Sequence, residues 1–300
     1  MSLEKKAIER IKIASEMSLH YYKNPIICTY SGGKDSDVLL ELFKRSGVPF
    51  EVFNSHTTAD APQTIYHIQK VFRKLELDGI KCNIDYHIKN GKPVTMWNLI
   101  PNKLIPPFRT KRYCCSILKE TGCNNRMIAT GVRWDESNQR KKRESFEVIG
   151  KAKKDRINVS DEKMLLSDND EKRKLFERCQ MKAKTVVNPI IDWKDEEIWD
   201  FYWNECKTHN LLYYEFGYYR VGCIGCPMAG KIRWKEFSDF PKYKEAYIRA
   251  FGRMLDMRTQ KGLTHKWKNA EDVFLWWMED DNIPGQMSIE DYSQDLDDYN

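Results

Sequence analysis

One short segment near the amino terminus constrains the fold more than any other part of the sequence. Pro25–Tyr30 is apolar and rich in β-branched residues, and the polar run Ser31–Ser36, with two adjacent glycines, follows it directly. Residues 37–45 then place Val38, Leu39, Leu42 and Phe43 on one helical face. This order of strand, glycine turn and helix predicts the beginning of a β-α-β unit with a parallel sheet.

The same alternation continues along the first two thirds of the chain. A helix over 3–22 precedes the first strand, helices are predicted over 62–75 and 113–119, and strands are predicted over 50–54, 83–88, 126–132 and 185–187. Strands that alternate with helices predict an α/β fold with a doubly wound, mostly parallel sheet. Beyond about residue 189 the pattern is helical, with the clearest helices over 194–206 and 241–261.

The domain organisation follows from this pattern. We expect a nucleotide-binding α/β domain over residues 1–230 and a helical C-terminal region over 231–300. Residues 135–175 are polar and dense in charge, which predicts an insertion within the first domain.

Charge is distributed unevenly along the 300 residues. Residues 279–300 contain eight Asp and Glu and no Lys or Arg. The other 278 residues carry 50 Lys and Arg against 36 Asp and Glu, a formal charge of +14. A basic body favours polyanionic ligands such as nucleotides, sulfate esters or nucleic acid, and the acidic tail would shield that surface; a solvated surface with a frayed terminus is the alternative.

The polar run after the first strand is suited to binding an oxyanion. Gly32 and Gly33 remove the Cβ atoms that would block an anion, so that successive backbone N–H groups can converge on it. The helix that follows directs its N-terminal dipole to the same point. Ser31 and Ser36 add hydroxyl groups and Lys34 adds a cation. The alternative is a plain strand-to-helix turn, and the run does not have the Walker A pattern.

Nine cysteines without an export signal argue for metal or thiol chemistry and against a disulfide framework. Four of them form two close pairs: Cys114-Cys115, and Cys223 with Cys226 in a C-x-x-C turn. Four thiolates satisfy an iron-sulfur cube or a tetrahedral zinc ion, and a redox C-x-x-C or buried thiols are the other interpretations. The remaining five are assigned to packing by default: Cys28, Cys82, Cys123, Cys179 and Cys206.

Five segments carry a resemblance to a known family. Ser31–Ser36 resembles the SGGxDS signature of the PP-loop ATP pyrophosphatase superfamily, whose fold is adenine nucleotide alpha hydrolase-like. His56–Thr64, Arg112–Lys119, Gly131–Arg140 and Asn188–Trp193 resemble, in the same order, segments of the phosphoadenylyl-sulfate (PAPS) reductase family within that superfamily. The resemblance covers roughly residues 25 to 230.

The resemblance implies roles for individual residues. Ser31, Gly32, Gly33 and Ser36 would hold the β- and γ-phosphates of ATP, and Thr57 and Thr58 belong to the substrate loop. Lys34 would neutralise charge as the α–β bond breaks, and Asp35 would hold Mg²⁺. Arg133 and Arg140 would bind the phosphate or sulfate on the far side. In iron-sulfur members of the family, cysteines that match Cys114, Cys115, Cys223 and Cys226 hold a [4Fe-4S] cluster.

One departure from the family bears on the reaction. Sulfonucleotide reductases end in a segment of the type E-C-G-[IL]-H that supplies the nucleophilic thiol, whereas this sequence has no Cys after Cys226. The layout resembles more closely the ATPases of DNA phosphorothioation systems and mobile elements. The sequence therefore predicts an enzyme that splits ATP to AMP and pyrophosphate and transfers sulfur to a nucleic acid. The alternatives are a PAPS or adenylyl-sulfate reductase that uses Cys123 or a partner's thiol, and a nucleotide sensor without turnover.

The expected ligands and location follow. We expect ATP or adenylyl sulfate, Mg²⁺ and a [4Fe-4S] cluster, with zinc as the alternative, and a sulfur or electron donor protein as a partner; a homo-oligomer stays open. No apolar run approaches the roughly 18 residues of a membrane helix, and the first ten residues lack the apolar stretch of a signal peptide. We therefore expect a cytoplasmic protein without a membrane partner.

Overall fold

A computed structural model describes residues 2–149, 156–159 and 184–279. The chain divides into two compact units. Unit 1 comprises residues 1–93 and 115–223, and unit 2 comprises residues 94–114 and 224–300. Cys179, most of the acidic tail and most of the predicted insertion lie outside the described residues.

Unit 1 is built on a seven-stranded sheet. Its strands are β1 (Ile26–Thr29), β2 (Phe50–His56), β3 (Cys82–Tyr86), β6 (Met127–Ala129), β7 (Phe146–Ile149), β8 (Arg156–Val159) and β9 (Lys184–Val187), with a separate two-stranded pair β4 (Ile88–Lys89) and β5 (Lys92–Pro93). The order across the sheet is β3-β2-β1-β6-β9-β7-β8. The first five strands in this order run parallel to one another, which confirms the predicted mostly parallel α/β class.

Helices cover this sheet and bury one continuous core. The helices of unit 1 are α1 (Leu3–Met17), extended by a π-helical turn (Ser18–Tyr22), α2 (Lys34–Ser46), α3 (Pro62–Leu77), α6 (Asp195–Glu205) and α7 (Leu211–Tyr214). Helix α2 ends at Gly47, whose positive φ of 70° closes it, and α3 begins with Pro62 in its first turn. The core includes the predicted apolar face of α2, with Val38, Leu39, Leu42 and Phe43 all inaccessible to solvent.

The described part of the predicted polar insertion contains two strands that sequence reasoning missed. Strand β7 pairs antiparallel with β9, with Phe146 opposite Val187, and β8 pairs antiparallel with β7. The dense charge around these strands hid them, because an edge hairpin needs little more than a backbone ladder and one apolar anchor. Phe146 supplies that anchor, since only 1% of its surface is exposed.

Unit 2 is helical. Its helices are α4 (Met96–Lys103), α8 (Ile232–Asp239), α9 (Pro241–Gln260) and α10 (Ala270–Met278), and α5 (Tyr113–Leu118) begins in this unit. The core is aromatic, with Tyr247 in contact with Phe237, Phe251 and Trp277. No helix of the described residues is long and apolar enough to cross a bilayer.

Residues 94–114 differ from the predicted organisation, which placed them in a domain over 1–230. In the structure they belong to unit 2. Trp97 packs its ring on Tyr247 at 5.1 Å, and the carbonyl oxygens of Leu104 and Pro107 accept hydrogen bonds from Arg258 and Trp277. These aromatic and hydrogen-bonded contacts are distant in sequence, so chain order alone could not reveal them.

The strand order places a crevice in the middle of unit 1. From β1 the chain proceeds to β2 and β3 on one side, and β6 and β9 lie on the other. The helices that connect the strands therefore separate between β1 and β6. Ligands of doubly wound folds bind outside the carboxyl ends of the strands at such a switch point.

The segment after β9 is held in place by a buried ion pair. Arg10 on α1 donates to both carboxylate oxygens of Asp192, at 2.7 and 3.1 Å, and to the Pro189 carbonyl oxygen at 2.7 Å. Lys6 adds a third contact to Asp192 at 2.8 Å. Burial alone would raise the pKa of Asp192, but the Arg10 and Lys6 hydrogen bonds hold it below its ordinary value of 3.8.

Asp192→Asn tests this contribution. At pH 7 we expect the free energy of unfolding to fall by about 2–3 kcal/mol, because a buried guanidinium loses its charged acceptor. A depressed carboxyl pKa stabilises the fold above the unfolded pKa near 3.8 and loses that effect as the pH falls through the folded value. The difference between parent and variant, measured by urea denaturation, should therefore shrink below about pH 4. Asp200→Asn, at an exposed position on α6, should change stability by less than about 0.5 kcal/mol. A difference between parent and D192N that is constant from pH 7 to 3 would contradict the assignment.

Candidate functional site

The glycine loop after β1 lies at the switch point and has the shape of an anion cup. Gly32 has a φ of +73°, and a Cβ atom on it would lie 2.9 Å from Cγ1 of Ile68 and 3.1 Å from Cγ2 of Thr64. Both the left-handed backbone and the close approach of α3 therefore require glycine here. Gly33 is the N-cap of α2, so the loop leads directly into the helix N-terminus.

Hydrogen bonds inside the loop occupy some of its backbone amides. The Gly33 N–H donates to Oγ of Ser36 at 3.1 Å, and the Lys34 N–H donates to the Tyr213 hydroxyl at 2.9 Å. Among the described residues, the amides of Ser31, Gly32 and Asp35 make no hydrogen bond. The cup thus offers three amides to an anion, and two others hold the loop in shape.

Two cations and two carboxylates form a compact network beside the cup. Arg133, after β6, is only 2% exposed and donates from Nε to Asp35 at 2.6 Å and from Nη2 to Asp195 at 2.8 Å. Lys34 Nζ lies 3.4 Å from Asp35, 3.2 Å from Asp195 and 5.0 Å from the centre of the Trp199 ring. Each carboxylate therefore contacts both cations, and the charges of the four side chains balance.

This network shifts the pKa values of its members. Burial alone would raise the pKa of Asp195, but Lys34 and Arg133 hold it below its ordinary value. Burial alone would lower the pKa of Arg133, but Asp35 raises it above its ordinary value. The lowered pKa of Asp195 and the raised pKa of Arg133 both favour the charged forms, so this pair acts as an electrostatic clamp.

The segment after β6 brings its predicted residues to the cup. Gly131 lies so close to Asp35 that an added Cβ atom would be 3.2 Å from the Asp35 carbonyl oxygen. Arg140, in contrast, is half-exposed on a 3-10 turn and pairs with Glu136. The structure therefore joins Arg133 to the glycine loop, whereas Arg140 lies on the surface.

The substrate-loop threonines lie at the carboxyl end of β2. Thr57 donates from its amide and its hydroxyl to Asp60, at 2.9 and 2.7 Å, and Thr58 has a positive φ of 64°. Cys223 pairs its backbone with Asp60, and its thiol donates to Oγ1 of Thr57 at 3.3 Å. One of the predicted ligand cysteines thus lies at the same edge of the sheet as the glycine loop.

The four predicted ligand cysteines are divided between the units. Cys115 and Cys223 belong to unit 1, and Cys114 and Cys226 belong to unit 2. Within unit 2, Gly225 has a φ of +73° and no room for a Cβ atom, which would meet Phe237 at 2.5 Å. In the described part of the chain, no three His, Cys, Asp or Glu side chains are placed to hold a metal ion.

Sequence reasoning missed several side chains that shape the cup. Asp195 contacts Lys34 and Arg133, and the Tyr213 hydroxyl accepts from the Lys34 amide. Asn210 donates to the Gly32 carbonyl oxygen at 2.8 Å. Below the loop, the Tyr30 hydroxyl donates to Asp37, and His67 Nε2 lies 3.1 Å from both carboxylate oxygens of Asp37. The one sequence signal for Asp195 was its place at the start of a predicted helix, directly after the Asn188–Trp193 segment.

The fold and the site by themselves define a class of protein. A doubly wound sheet with a glycine cup at its switch point, a helix N-terminus and two cations is the arrangement of a phosphate-binding α/β domain. Residues 25–229 match the phosphoadenosine phosphosulfate reductase domain family. The chain belongs to that family, which confirms the resemblance found in the sequence.

Other proteins are similar over much of the chain. Two uncharacterized proteins of Methanocaldococcus jannaschii, MJ0973 and MJ0066, are each 26% identical, over 87% and 75% of this chain and 54% and 41% of their own length. The chain thus spans about half the length of the curated relatives it matches.

Solved structures with low similarity include three enzymes. A PAPS reductase from Candida auris is 14% identical with a TM-score of 0.39, over 74% of this chain and 92% of that one. The U34-tRNA thiolase NcsA from Methanococcus maripaludis, with its [4Fe-4S] cluster, is 15% identical with a TM-score of 0.33, over 88% and 82%. Candida glabrata FMN adenylyltransferase in complex with ATP is 15% identical with a TM-score of 0.42, over 74% and 62%. The family assignment rests on the match of residues 25–229.

Gly32→Ala and Gly47→Ala form a matched pair that tests the cup. Both glycines have a φ near +70°, but a Cβ atom at Gly47 meets nothing within 4 Å. Each alanine should cost about 1–2 kcal/mol of stability for its backbone. Gly32→Ala should cost about 1–3 kcal/mol more, because its methyl group overpacks against α3. Only Gly32→Ala should weaken pyrophosphate binding, measured by isothermal titration calorimetry. Equal pyrophosphate binding by both variants would show that the glycine loop does not bind the anion.

Asp195→Asn tests the electrostatic clamp. The variant removes one negative charge from beside two cations, so pyrophosphate should bind more tightly by about 1 kcal/mol, or about fivefold, at low salt. High salt should reduce this gain, because exposed charges are screened. Asp200→Asn on the same helix provides the control for a charge further from the cup. Weaker pyrophosphate binding by D195N would mean that holding Lys34 and Arg133 in place outweighs the repulsion.

Proposed function

We propose that this chain is an ATP pyrophosphatase-type enzyme that activates an oxygen atom of a nucleic acid by adenylation, for replacement by sulfur. The observation that supports this most is the cup at the β1–β6 switch point. It combines a left-handed glycine, a helix N-terminus, three amides without a hydrogen bond among the described residues, and Lys34 and Arg133. These features suit an oxyanion such as pyrophosphate.

The chain's own residues have distinct parts in this proposal. The amides of Ser31, Gly32 and Asp35 bind pyrophosphate oxygens, and Ser36 keeps the loop closed through its bonds to Gly33. Lys34 and Arg133 exchange part of their contact with Asp35 and Asp195 for the anion. Without a ligand, the two cations of the clamp are balanced by its two carboxylates. Bound phosphates bring negative charge, and the cations then stabilise the further negative charge that develops on pyrophosphate as it leaves.

The reaction balances as two displacements. An oxygen atom of the acceptor attacks the α-phosphorus of ATP, the bond from that phosphorus to the bridging oxygen breaks, and pyrophosphate leaves. A sulfide-level sulfur from a donor then attacks the acceptor atom that bears the adenylated oxygen. The bond from that atom to the oxygen breaks, and AMP leaves with the original oxygen. Neither step changes an oxidation state, so the reaction needs no external reductant.

The acceptor is proposed from charge and from the missing thiol. Outside residues 279–300 the formal charge is +14, which suits a polyanionic acceptor. A sulfonucleotide reductase needs a reactive thiol, and Cys123 is the candidate named from the sequence. Burial raises the pKa of Cys123 to about 11. Only about one such thiol in 10,000 would be ionised at pH 7, so Cys123 makes a poor nucleophile.

The position of Cys123 supports the same conclusion. It precedes β6, and its charged neighbours include Lys184 at the start of β9 and Glu51 near the start of β2. Cys123 itself lies before the amino end of β6, whereas the cup follows the carboxyl end of β1; Asp85, near the end of β3, is a further charged neighbour. We therefore favour ATP activation over a reductase that depends on this thiol.

The [4Fe-4S] cluster and Mg²⁺ stay predictions from the sequence. Four thiols have the right donor chemistry for a cluster, but the described residues do not assemble a metal-ligand group, so we derive no step through it. Both carboxylate oxygens of Asp35 already contact cations, so its use as a Mg²⁺ ligand would require Arg133 or Lys34 to move. Iron and sulfide analysis of anaerobically purified protein tests the cluster directly.

Product analysis tests the proposed reaction. Purified protein, ATP, Mg²⁺, sulfide and a pool of single-stranded oligonucleotides should yield AMP and pyrophosphate in equal amounts. Lys34→Gln should lower product formation by about 100-fold, because a lost charge-assisted contact at the leaving group costs about 3 kcal/mol. Lys44→Gln on the same helix, where the side chain is 41% exposed and pairs with Glu41, should have little effect.

Three outcomes would contradict the proposal in different ways. ADP and phosphate as the only products would exclude the pyrophosphatase mechanism. Sulfite released from adenylyl sulfate with a thiol reductant would identify a reductase. ATP binding without any product over several hours would indicate a nucleotide sensor.

A further inference from the structure

We infer that a groove between α4 and α9 of unit 2 binds single-stranded nucleic acid. This deepens the proposed function, on which it rests for its choice of polymer. The groove consists of two adjoining cavities of about 630 and 350 Å³, which share Arg253 and Asp256. Each volume lies within the roughly 300–1,000 Å³ that is usual for ligand sites.

The spacing of residues on α9 forms one wall. Ala246, Arg249, Arg253 and Asp256 follow one another at intervals of three or four residues, and Gly252 lies beside them. This spacing places them on one helix face. The small side chains at positions 246 and 252 leave the floor open between the two arginines.

Helix α4 supplies the other wall with a different chemistry. Trp97 lines the larger cavity, and Asn98, Pro101 and Asn102 line the smaller one. The Trp97 ring is held from behind by Tyr243 and Tyr247, at centroid distances of 6.1 and 5.1 Å. The groove therefore combines an anchored indole with exposed guanidinium groups, and single-stranded nucleic-acid sites use both.

Hydrogen bonding leaves the two arginines in different states. Arg253 donates to the Trp97 carbonyl oxygen at 2.7 Å, which ties it to the backbone of α4. Arg249 is 68% exposed, and its contact with Glu245 is 3.6 Å long and equally exposed. Such a surface pair is weak, so a phosphate can compete for Arg249.

The charge of the described part of unit 2 favours a polyanion as the occupant, whereas residues 280–300 of the same unit add seven acids and bring the formal charge of the whole unit to +1. Residues 94–114 and 224–279 carry 15 Lys and Arg against 7 Asp and Glu, a formal charge of +8. A duplex would satisfy the charges but presents no unstacked base to Trp97. A single strand offers phosphates to the arginines and an unstacked base to the Trp97 ring.

Fluorescence anisotropy of the full chain with a fluorescein-labelled 20-nucleotide single strand tests the groove. Arg249→Glu should weaken binding by about tenfold at low salt and reduce the salt slope by about 0.7, the value for one lost single-strand phosphate contact. Lys81→Glu is the matched control, since Lys81 is 72% exposed and pairs with one glutamate at 3.3 Å, but lies in unit 1. It should weaken binding by less than twofold.

A second pair of variants tests the indole. Trp97→Leu should weaken single-strand binding by about tenfold, the effect of losing one stacked base, whereas Trp97→Phe should stay within about threefold of the parent. Circular dichroism at matched temperature confirms that both variants are folded.

Several results would overturn the groove. These are equal losses in R249E and K81E, equal affinity for a single strand and its duplex, or displacement of the strand by an equal nucleotide concentration of AMP. The assay contains no ATP, so it separates the two proposals. Strand binding without AMP formation would refute the proposed reaction but support the groove as a binding site. AMP formation with unchanged strand binding by R249E would support the reaction but refute the groove.

Discussion

The candidate anion site of unit 1 depends on the buried guanidinium of Arg133. Arg133 lies after β6 and holds Asp35 on α2 and Asp195 on α6, so one side chain joins three elements around the switch point. A buried cation is stable only when carboxylates compensate it, and here the same two carboxylates also hold Lys34. The site is therefore preorganised as a neutral cluster. An anion that enters the cup meets cations already positioned, and it competes with carboxylates instead of with bulk water.

This clamp changes the interpretation of two residues to which the sequence assigned separate roles. Arg133 and Asp35 were predicted as separate ligands, one for phosphate or sulfate and one for Mg²⁺. They are bonded to each other at 2.6 Å in the structure. A ligand must therefore rearrange this pair or bind beside it. Tyr213 has a comparable role for the backbone, because its hydroxyl occupies the Lys34 amide and leaves the neighbouring amide of Asp35 to an anion. The number of amides that the cup offers to an anion thus depends on a group outside the glycine motif.

The two units divide the chemistry of the chain between them. Unit 1 carries the cup, the predicted substrate loop and Cys223, which donates to Thr57. Unit 2 carries an aromatic core and an α4–α9 groove in a segment with a formal charge of +8. The proposed activation of a nucleic acid needs both a nucleotide site and a surface for the polymer. Family membership supports the first of these needs, and the second rests on the charge and the shape of the groove.

The sequence by itself determined the α/β class, the glycine cup and the family, because each is written in local patterns: alternating apolar runs, two adjacent glycines and short motifs in a fixed order. It could not determine the contacts of Arg133 with Asp35 and Asp195, which lie 98 and 62 residues away along the chain. Nor could it place residues 94–114 with the C-terminal helices, or find the strand at 146–149 within a charged segment. Local pattern fixes which element forms, because it depends on near neighbours. Only tertiary packing decides which side chains meet, because burial and charge compensation act between residues that the chain order separates.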